Sequence, residues 1–424
     1  MKQLLTLMTF FLAFSGLAQK QYLQCGRLLD VAEGRLLSEK TLVIDGDRIV
    51  EVLDGYREGG PEDVLTDLRS QTVLPGLIDM HVHIESQSSP DAYIKEFTMN
   101  PADIAYEAAV YAERTLLAGF TTVRDLGGSG VNIALRKAIE KGLTPGPRLF
   151  TAGKAIGTTG GHADPTNGRN LELMGDPGPK EGVVNSPADG RKAVRQRYKE
   201  GSDVIKITAT GGVLSVAKNG QNPQFTVEEI RAITQTADDY GMLTAAHAHG
   251  DEGMQRAIKG GIKTIEHGTL MSEGTMDLMK EYGVYMVPTI SAGKEAARNA
   301  EIPGYFPPVV ARKAREIGPQ IQNTFSRAYK KGVPIAFGTD AGVFPHGTNA
   351  QEFTYMVEAG MPAEEALRAA TITNATLLGM AGELGQLKPG FIADIIAVGG
   401  NPLQDVGVLR EVGFVMKEGK VYKR

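Results

Sequence analysis

From residue 72 onward, short apolar runs alternate with amphipathic segments of roughly ten to twenty residues, a pattern typical of repeated βα units and a parallel sheet. Eight runs have the length and apolarity expected of strands: residues 76–84, 120–127, 148–156, 204–211, 243–250, 264–269, 284–290 and 335–341. Eight βα units that close on themselves form a (β/α)8 TIM barrel, so we predict an α/β fold of this kind. The alternative is an open doubly wound sheet, but no GxGxxG turn follows the first run, which excludes its usual dinucleotide-binding version.

Two of the intervening segments carry clear helix signals. Residues 101–119 have apolar side chains at helical spacing and end in a glycine, a common helix stop. Residues 226–241 begin with Thr226, three positions before Glu229, which predicts a capping box at the start of a helix. These segments support a helix after each barrel strand.

Both chain ends have the composition of short strands. Residues 19–74 contain apolar runs joined by an Asp-Gly turn, and residues 381–424 contain two further runs of the same kind. We therefore predict one small β-sandwich built from both chain ends, flanking a barrel formed by residues 75–380. No Gly/Ser-rich or Pro-rich linker separates the two parts, so we expect them to pack firmly together.

Residues 1–18 predict a secretory signal peptide. Lys2 precedes an apolar run from Leu4 to Leu17, and the small residues Gly16 and Ala18 suit cleavage after Ala18. The run is too short to span a bilayer comfortably, which disfavours the alternative of an uncleaved anchor. We expect an exported protein, periplasmic or secreted, with no membrane association after cleavage.

Composition limits the partners and the kind of site. The 424 residues carry a formal net charge of −5, with a pI of about 5.9, so nucleic acid is not an expected partner. Cys25 is the only cysteine, so neither an intrachain disulfide nor a cysteine-based zinc site can form. Any metal must be held by histidine, carboxylate or lysine-derived ligands.

Histidines concentrate near the ends of the predicted barrel strands. The chain has seven, and His81, His83, His247 and His267 lie near the C-terminal ends of strands, where barrel active sites are built. His81 and His83 are two positions apart on one strand, so their side chains point the same way and can reach one ion. An HxH pattern alone is a weak signal, and it gains weight only from the other histidines.

A lysine and an aspartate extend this set. Asp340 ends the eighth predicted strand, and Lys206 lies in the middle of the fourth, between two isoleucines. A buried lysine is costly if it is charged and unpaired, so two interpretations stand: an ion pair with an acid, or a carbamate formed with carbon dioxide. The carbamate would be a bridging carboxylate for two metal ions, and the nearby histidines favour it.

Together, these residues resemble the binuclear metal site of the amidohydrolase superfamily. The motifs PGLIDMHVH, KITATGG, AAHAHG, IEHGT, GTDAG and GFIADIIAV are similar to those of the superfamily, and the resemblance runs from about residue 22 to the C-terminus. Within the superfamily, the chain resembles the branch of imidazolonepropionase-like prolidases, Xaa-Arg/Lys carboxypeptidases and ochratoxin-hydrolysing amidases. The motifs are more specific for the superfamily than for the branch.

The resemblance implies two divalent metal ions and a role for each ligand. The implied ligands are His81, His83 and Asp340 for the first ion, His247 and His267 for the second, and N6-carboxylated Lys206 as the bridge. Zinc is the expected metal, although this ligand set also suits manganese or cobalt. A metal-bridging hydroxide would attack the scissile carbonyl, and Asp340 would accept its proton and return it to the leaving amine.

Three further residues are candidates for contact with the substrate. His249 lies two positions beyond His247 towards the barrel mouth, so we assign His247 to metal and His249 to the substrate. His162, in the loop after the third strand, is either a loop histidine without a task or a catalytic donor to the reacting oxyanion. Ser215, in the loop after Lys206, is expected to frame the pocket.

Two points concern other side chains near the predicted site. A substrate carboxylate needs a cationic or hydrogen-bonding partner, and Arg124, Lys154, Lys218 and Tyr285 remain open candidates. His346 lies in a Pro-Gly loop after the eighth strand, and we expect it to be solvated.

The sequence thus predicts a metal-dependent amidohydrolase, of the dipeptidase, carboxypeptidase or amidase type, that releases a C-terminal amino acid from dipeptides or N-acyl amino acids. A cyclic amidohydrolase, lactonase or deaminase on the same site is the first alternative, and a non-enzymatic metal-binding protein is the second. The deaminase is disfavoured because Asp251 and Glu252 fit the start of the next helix better than a proton shuttle. The resemblance also implies a homo-oligomer.

Overall fold

The computed structural model describes residues 19–424, so the signal-peptide prediction for residues 1–18 lies outside the described residues. Within residues 19–424, no helix combines the length and the apolar character needed to cross a bilayer.

The strands of this part of the chain fall into a sheet at the chain ends and the wall of a barrel. They are β1 (Gln21–Asp30), β2 (Arg35–Asp45), β3 (Arg48–Asp54), β4 (Val64–Pro75), β5 (Leu77–Val82), β6 (Phe120–Asp125), β7 (Arg148–Thr151), β8 (Val204–Thr208), β9 (Leu243–Ala248), β10 (Thr264–His267), β11 (Tyr285–Val287), β12 (Ile395–Val398), β13 (Val412–Lys417) and β14 (Lys420–Lys423).

The α-helices lie mainly between the barrel strands. They are α1 (Ala92–Thr98), α2 (Pro101–Leu117), α3 (Val131–Glu140), α4 (Leu171–Met174), α5 (Pro187–Glu200), α6 (Val227–Asp239), α7 (Asp251–Lys259), α8 (Glu273–Tyr282), α9 (Ile290–Asn299), α10 (Pro308–Ile317), α11 (Ile321–Lys331), α12 (Gln351–Glu358), α13 (Ala363–Arg368) and α14 (Asn374–Leu377). The predicted capping box is present, because the Thr226 hydroxyl and the Glu229 carboxylate each accept the other residue's backbone N–H at the start of α6.

The barrel wall is made of parallel strands. Strands β5, β6 and β7 pair in that order, and β8, β9, β10 and β11 pair in a second run. Ile156, just after β7, forms a parallel bridge to Ile207 of β8 and joins the two runs. Seven of the eight predicted strands therefore stand where the alternating pattern places them.

The eighth predicted strand closes the barrel in an irregular way. Within residues 335–341, Ile335 bridges to β11 and Ala341 bridges to β5, both in parallel. The segment does not form a continuous ladder, because Pro334 has no amide hydrogen and Asp340 has a φ of +62°, outside strand geometry. The two bridges complete the ring, so the predicted (β/α)8 barrel is confirmed.

Strands from both chain ends form one curled sheet, in the order β14-β13-β12-β4-β1-β2-β3. The β1–β4 pair is parallel, and the other pairs are antiparallel. One face of the sheet closes on its own apolar core, which includes Leu23, Cys25, Leu42, Ile395 and Phe414. This arrangement confirms the predicted small β-sandwich built from both chain ends.

The sandwich packs against the barrel near the N-terminal ends of barrel strands. Arg148, the first residue of β7, pairs with Asp394 (Nη1–Oδ2 2.8 Å), and the Asp394 carbonyl accepts the amide of Gly76 (2.8 Å). Ile396 and Val412 of the sandwich belong to the same apolar core as the barrel. These contacts leave the C-terminal ends of the barrel strands free for a site.

Candidate active site

A cavity of about 1190 Å³ opens at the C-terminal ends of the barrel strands. It brings together eight of the nine predicted site residues: His81, His83, His162, Lys206, His247, His249, His267 and Asp340. These side chains come from five barrel segments and one loop, so their convergence results from the closed barrel rather than from proximity in the sequence.

Two buried polar atoms face each other at the centre of this group. The Oδ1 atom of Asp340 lies 3.5 Å from His81 Nε2 and 3.4 Å from His83 Nε2. Asp340 Oδ1 and His81 Nε2 are both buried without a hydrogen-bond partner, which is costly. Two ligands of one tetrahedral Zn²⁺ lie about 3.4 Å apart when each bond is about 2.0–2.1 Å long, so the spacing fits a metal ion.

The other ring nitrogens of these two histidines are engaged by acceptors. His81 Nδ1 lies 2.9 Å from Glu266 Oε2, and His83 Nδ1 lies 2.8 Å from the Gly127 carbonyl oxygen. Because these oxygens only accept, each Nδ1 carries the hydrogen and each Nε2 keeps its lone pair. Metal-binding histidines are usually oriented in this way.

Glu266 also neutralises a buried arginine. Arg124 Nη2 lies 2.8 Å from Glu266 Oε1, and Arg124 Nε donates to the Met80 carbonyl (2.6 Å). Both charged side chains are completely buried. Arg124 therefore stabilises the structure behind His81. The prediction that Arg124 is a candidate partner of the substrate carboxylate is wrong.

Strained backbone supports the site at three neighbouring strand ends. His267, Thr289 and Asp340 have φ angles of +70°, +52° and +62°, and such conformations cost about 1–3 kcal/mol each for non-glycine residues. Strand alternation would direct Glu266 and His267 to opposite faces, and the positive φ of His267 turns both towards the interior. Glu352 secures the strained turn by accepting the N–H groups of the two residues after Thr289, at 2.7 Å each.

His267 lies close to the first pair of ligands. Ligand atoms of His81, His267 and Asp340 all lie within 4.8 Å of one another, which makes a possible metal site. His267 Nδ1 lies 2.7 Å from the Thr289 hydroxyl oxygen, which orients the ring. A histidine from the sixth barrel strand and an aspartate from the eighth segment thus meet His81 at one point.

Lys206 lies on β8 and is buried beside these residues. Burial lowers the pKa of Lys206, because the charged ammonium is poorly solvated, while the charges of Glu266 and Asp340 oppose that shift. Burial also raises the pKa of Asp340. The lowered pKa favours the neutral amine that forms a carbamate, whereas Glu266 and Asp340 favour the charged form of an ion pair, so both interpretations stand.

The remaining histidines pack against one another on the β9 side of the cavity. The ring centroids are 4.4 Å apart for His162 and His247, and 4.6 Å apart for His247 and His249. His247 Nε2 lies 3.1 Å from the Gly211 carbonyl oxygen, so Nε2 donates and Nδ1 keeps the lone pair that a metal requires. The assignment of His247 to metal and His249 to the substrate remains a prediction.

All of these imidazoles are uncharged at neutral pH. Burial lowers the pKa of His83 to about 4 and the pKa values of His162 and His249 to about 3. It also holds the pKa values of His81, His247 and His267 well below the ordinary value. Neutral imidazole is the form that binds metals, so the cluster matches a metal centre in charge as well as in spacing.

Ser215 is the predicted residue that does not join the group. The cavity wall passes through Val213, Leu214 and Val216. Ser215 lies between them, and its hydroxyl faces the Gly212 carbonyl oxygen (3.5 Å) within its own loop. The loop frames the pocket as expected, but it does so through apolar side chains.

The structure also separates the other candidates. Lys154 lines the cavity, Lys218 is exposed beyond it, and Tyr285 begins β11, at the end of the barrel opposite the mouth. The expectation that His346 is solvated is wrong. Its ring stacks on Tyr111 (centroids 4.9 Å apart), and its Nε2 lies 2.9 Å from the Ser86 carbonyl oxygen.

Sequence reasoning missed three side chains that shape the site. Glu266 orients His81, Thr289 orients His267, and Lys313 donates to three carbonyls of the loop that carries Ser215. An acid next to His267 in a barrel strand was the one available signal, because a buried carboxylate needs a partner. The other two contacts join distant segments and follow no local pattern.

Comparisons with known proteins find a matching family and similar relatives. The profile of the Amidohydrolase family matches residues 72–422. Ochratoxinase from Aspergillus niger is 34% identical over 421 residues, with coverage of 93% of this chain and 85% of that protein.

Two solved structures are also similar. A Xaa-Pro dipeptidase with methionine bound in its active site is 51% identical, with a TM-score of 0.93 and coverage of 96% of this chain and 100% of that one. A prolidase complexed with N-methylphosphonate-L-proline is 34% identical, with a TM-score of 0.88 and the same coverage. The resemblance inferred from the motifs is therefore confirmed.

Proposed function

This chain belongs to the amidohydrolase family and is a hydrolytic enzyme acting on C–N bonds, and from that premise we propose that it releases the C-terminal amino acid from dipeptides or N-acyl amino acids. The observation that carries the metal-dependent part of this proposal is the pair of unpartnered atoms, His81 Nε2 and Asp340 Oδ1, 3.5 Å apart in a cluster of neutral imidazoles. The relative described as a Xaa-Pro dipeptidase, with methionine in its active site, supports an amino-acid product.

We propose that two divalent ions, zinc by preference, occupy this cluster. His81, His83 and Asp340 would hold one ion, His247 and His267 the other, and carboxylated Lys206 would bridge them. Such ions supply Lewis-acid polarisation of a carbonyl and a nucleophile at neutral pH. The low solvation of Lys206 supports the carbamate, because carbon dioxide reacts with the neutral amine.

Side chains of this protein would transfer protons and orient the substrate. Asp340 is buried and its raised pKa favours proton uptake, so its carboxylate would take a proton during attack and return it to the leaving amine. His162 is neutral and has an unpartnered Nδ1, which supports a role as donor to the carbonyl oxygen. His249, oriented by Thr269 (Nδ1–Oγ1 2.9 Å), would contact the substrate.

The cavity supports a substrate with one negative charge. Three lysines line it, of which Lys95 pairs with Glu107 (Nζ–Oε1 3.0 Å) and Lys206 lies among the proposed metal ligands. Lys154 is the remaining one, and we propose that it binds the free carboxylate of the substrate. Leu214, among other apolar side chains of the wall, would accept the residue on the other side of the scissile bond.

Two further proposals concern the whole protein. Residues 1–18 support export and cleavage, after which the mature enzyme would be periplasmic or secreted. Ile94 and Phe97 of α1 and Tyr106 of α2 are exposed apolar side chains, and they support assembly into a homo-oligomer. N-terminal sequencing and light scattering of the exported protein test these two points separately.

The first experiment combines metal analysis with a substrate screen. The mature protein is analysed for bound metal and assayed on dipeptides, including Xaa-Pro and Xaa-Met, and on N-acyl amino acids. We expect about two metal ions per chain and turnover that stops on chelation. Turnover confined to cyclic amides or lactones would replace this proposal with the alternative activity, and a fully metallated but inert protein would leave only a metal-binding role.

A further inference from the structure

A buried lysine on α10 donates all three of its ammonium hydrogens to backbone carbonyls of one loop. Lys313 Nζ lies 2.6 Å from the Gly212 carbonyl oxygen, 2.6 Å from that of Ser215 and 2.9 Å from that of Ala217. Lys313 is 2% exposed, so this ammonium exchanges hydration for three convergent carbonyls. We call residues 211–217 the β8 loop, because they follow β8.

The β8 loop touches the active site through two glycines and three apolar side chains. The Gly211 carbonyl accepts from His247 Nε2 (3.1 Å). Gly212 lies flat against the His162 ring, where an added Cβ would come within 2.4 Å of three ring atoms. Val213, Leu214 and Val216 form part of the cavity wall. A shift of this loop would therefore move two histidines and the apolar wall together.

Helix α10 holds the loop by apolar contact as well. Val213 packs in a small cluster with Ala296 of α9 and with Ala314 and Ile317 of α10. The cluster is separate from the main barrel core. The packing of Val213 and the three hydrogen bonds of Lys313 therefore fix the loop against α10 together.

We propose that Lys313 is a positioning residue that sets substrate preference by holding the β8 loop in place. It acts through the loop, because its ammonium faces backbone carbonyls rather than the substrate. The wall formed by Leu214 and Val216 is then preshaped for an apolar group, which lowers the entropy lost when a substrate binds. The activity readout rests on the proposed function, whereas the order of the loop does not.

The test compares Lys313→Met with the wild-type enzyme. Methionine keeps a similar length and apolar body but has no donor, so the three carbonyls lose their shared partner. We expect faster amide hydrogen exchange confined to the β8 loop. We also expect KM for a substrate with a bulky apolar residue to rise about tenfold, because the apolar wall is no longer preshaped, and to rise less for its glycine counterpart.

Arg312→Met is the matched control. Arg312 is adjacent on α10 and donates to the Lys218 carbonyl (3.2 Å) from an exposed position beyond the cavity wall. It should leave both loop exchange and KM at wild-type values. If Lys313→Met folds poorly, Lys313→Ala is used instead, and added methylammonium supplies a donor in the space left by the side chain. Recovery of slow amide exchange in the β8 loop on addition of methylammonium would support the proposal. Unchanged loop exchange in Lys313→Met overturns it, even if the wild-type enzyme hydrolyses none of the proposed substrates.

Discussion

The Nδ1 atom of His81 lies 2.9 Å from the Oε2 atom of Glu266, and both side chains are completely buried. The carboxylate can only accept, so this contact fixes the tautomer of His81 and leaves its Nε2 lone pair directed at Asp340. Glu266 also balances the charge of Arg124. One carboxylate thus orients a ligand and makes a buried cation tolerable.

Glu266→Gln should weaken metal binding and destabilise the fold. The amide has no charge to balance Arg124 and polarises His81 less, so we expect metal affinity to fall about 10–100-fold. The unbalanced arginine should lower the free energy of unfolding by about 3–5 kcal/mol. Metal titration and urea unfolding measure the two effects. Glu273→Gln, on the exposed surface of α8, is the control, and metal affinity equal to wild type in Glu266→Gln would contradict the orienting role.

Replacing Lys206 separates the two interpretations of that residue. Lys206→Ala should lower kcat/KM by about 10³-fold, which corresponds to about 4 kcal/mol of lost transition-state stabilisation. Lys206→Arg keeps the positive charge but forms no carbamate, so we expect it to lose metal and activity as well. Lys199→Ala, an exposed change on α5, is the control. Retention of metal and activity in Lys206→Arg would favour the simple ion pair.

The alternation of strands and helices was enough to predict the barrel, because closure depends on a pattern that repeats eight times. It did not predict the irregular eighth segment. There, Asp340 has a positive φ instead of extended strand geometry, and in this conformation its carboxylate reaches His81 and His83. Strain of this kind follows from the needs of the site and leaves no periodic signal.

The histidines and Asp340 could be placed from their positions at strand ends, but their supports could not. Lys313 reaches carbonyls about a hundred residues earlier in the chain, a separation that no local rule covers. His346 follows a loop pattern typical of solvated residues, yet stacking on Tyr111 buries it. Tertiary packing decided each of these cases.

Lys154→Met should impair recognition of the substrate carboxylate. A charge-assisted hydrogen bond contributes about 1.5–3 kcal/mol, so KM for a substrate with a free carboxylate should rise about 10–100-fold while kcat changes little. The corresponding carboxamide substrate should show no difference between the two enzymes. Steady-state kinetics on this substrate pair, with the exposed Lys218→Met as a control, provide the measurement. An equal loss on both substrates would assign Lys154 a purely structural role.

His346→Gln should make the metal-free protein less sensitive to acid. The unfolded chain takes up a proton at His346 below a pH of about 6.5, whereas burial lowers the pKa of His346 in the folded protein to about 4. Between these values the unfolded state binds more protons, so folding stability falls as the pH is lowered, by about 3 kcal/mol over the whole window. Glutamine can still donate to the Ser86 carbonyl but does not titrate. Urea unfolding of both metal-free proteins at pH 7 and pH 4 should show the smaller loss of stability in the variant, since the other buried histidines contribute equally to both proteins. Equal losses would mean that His346 is protonated to the same extent in the folded and unfolded states.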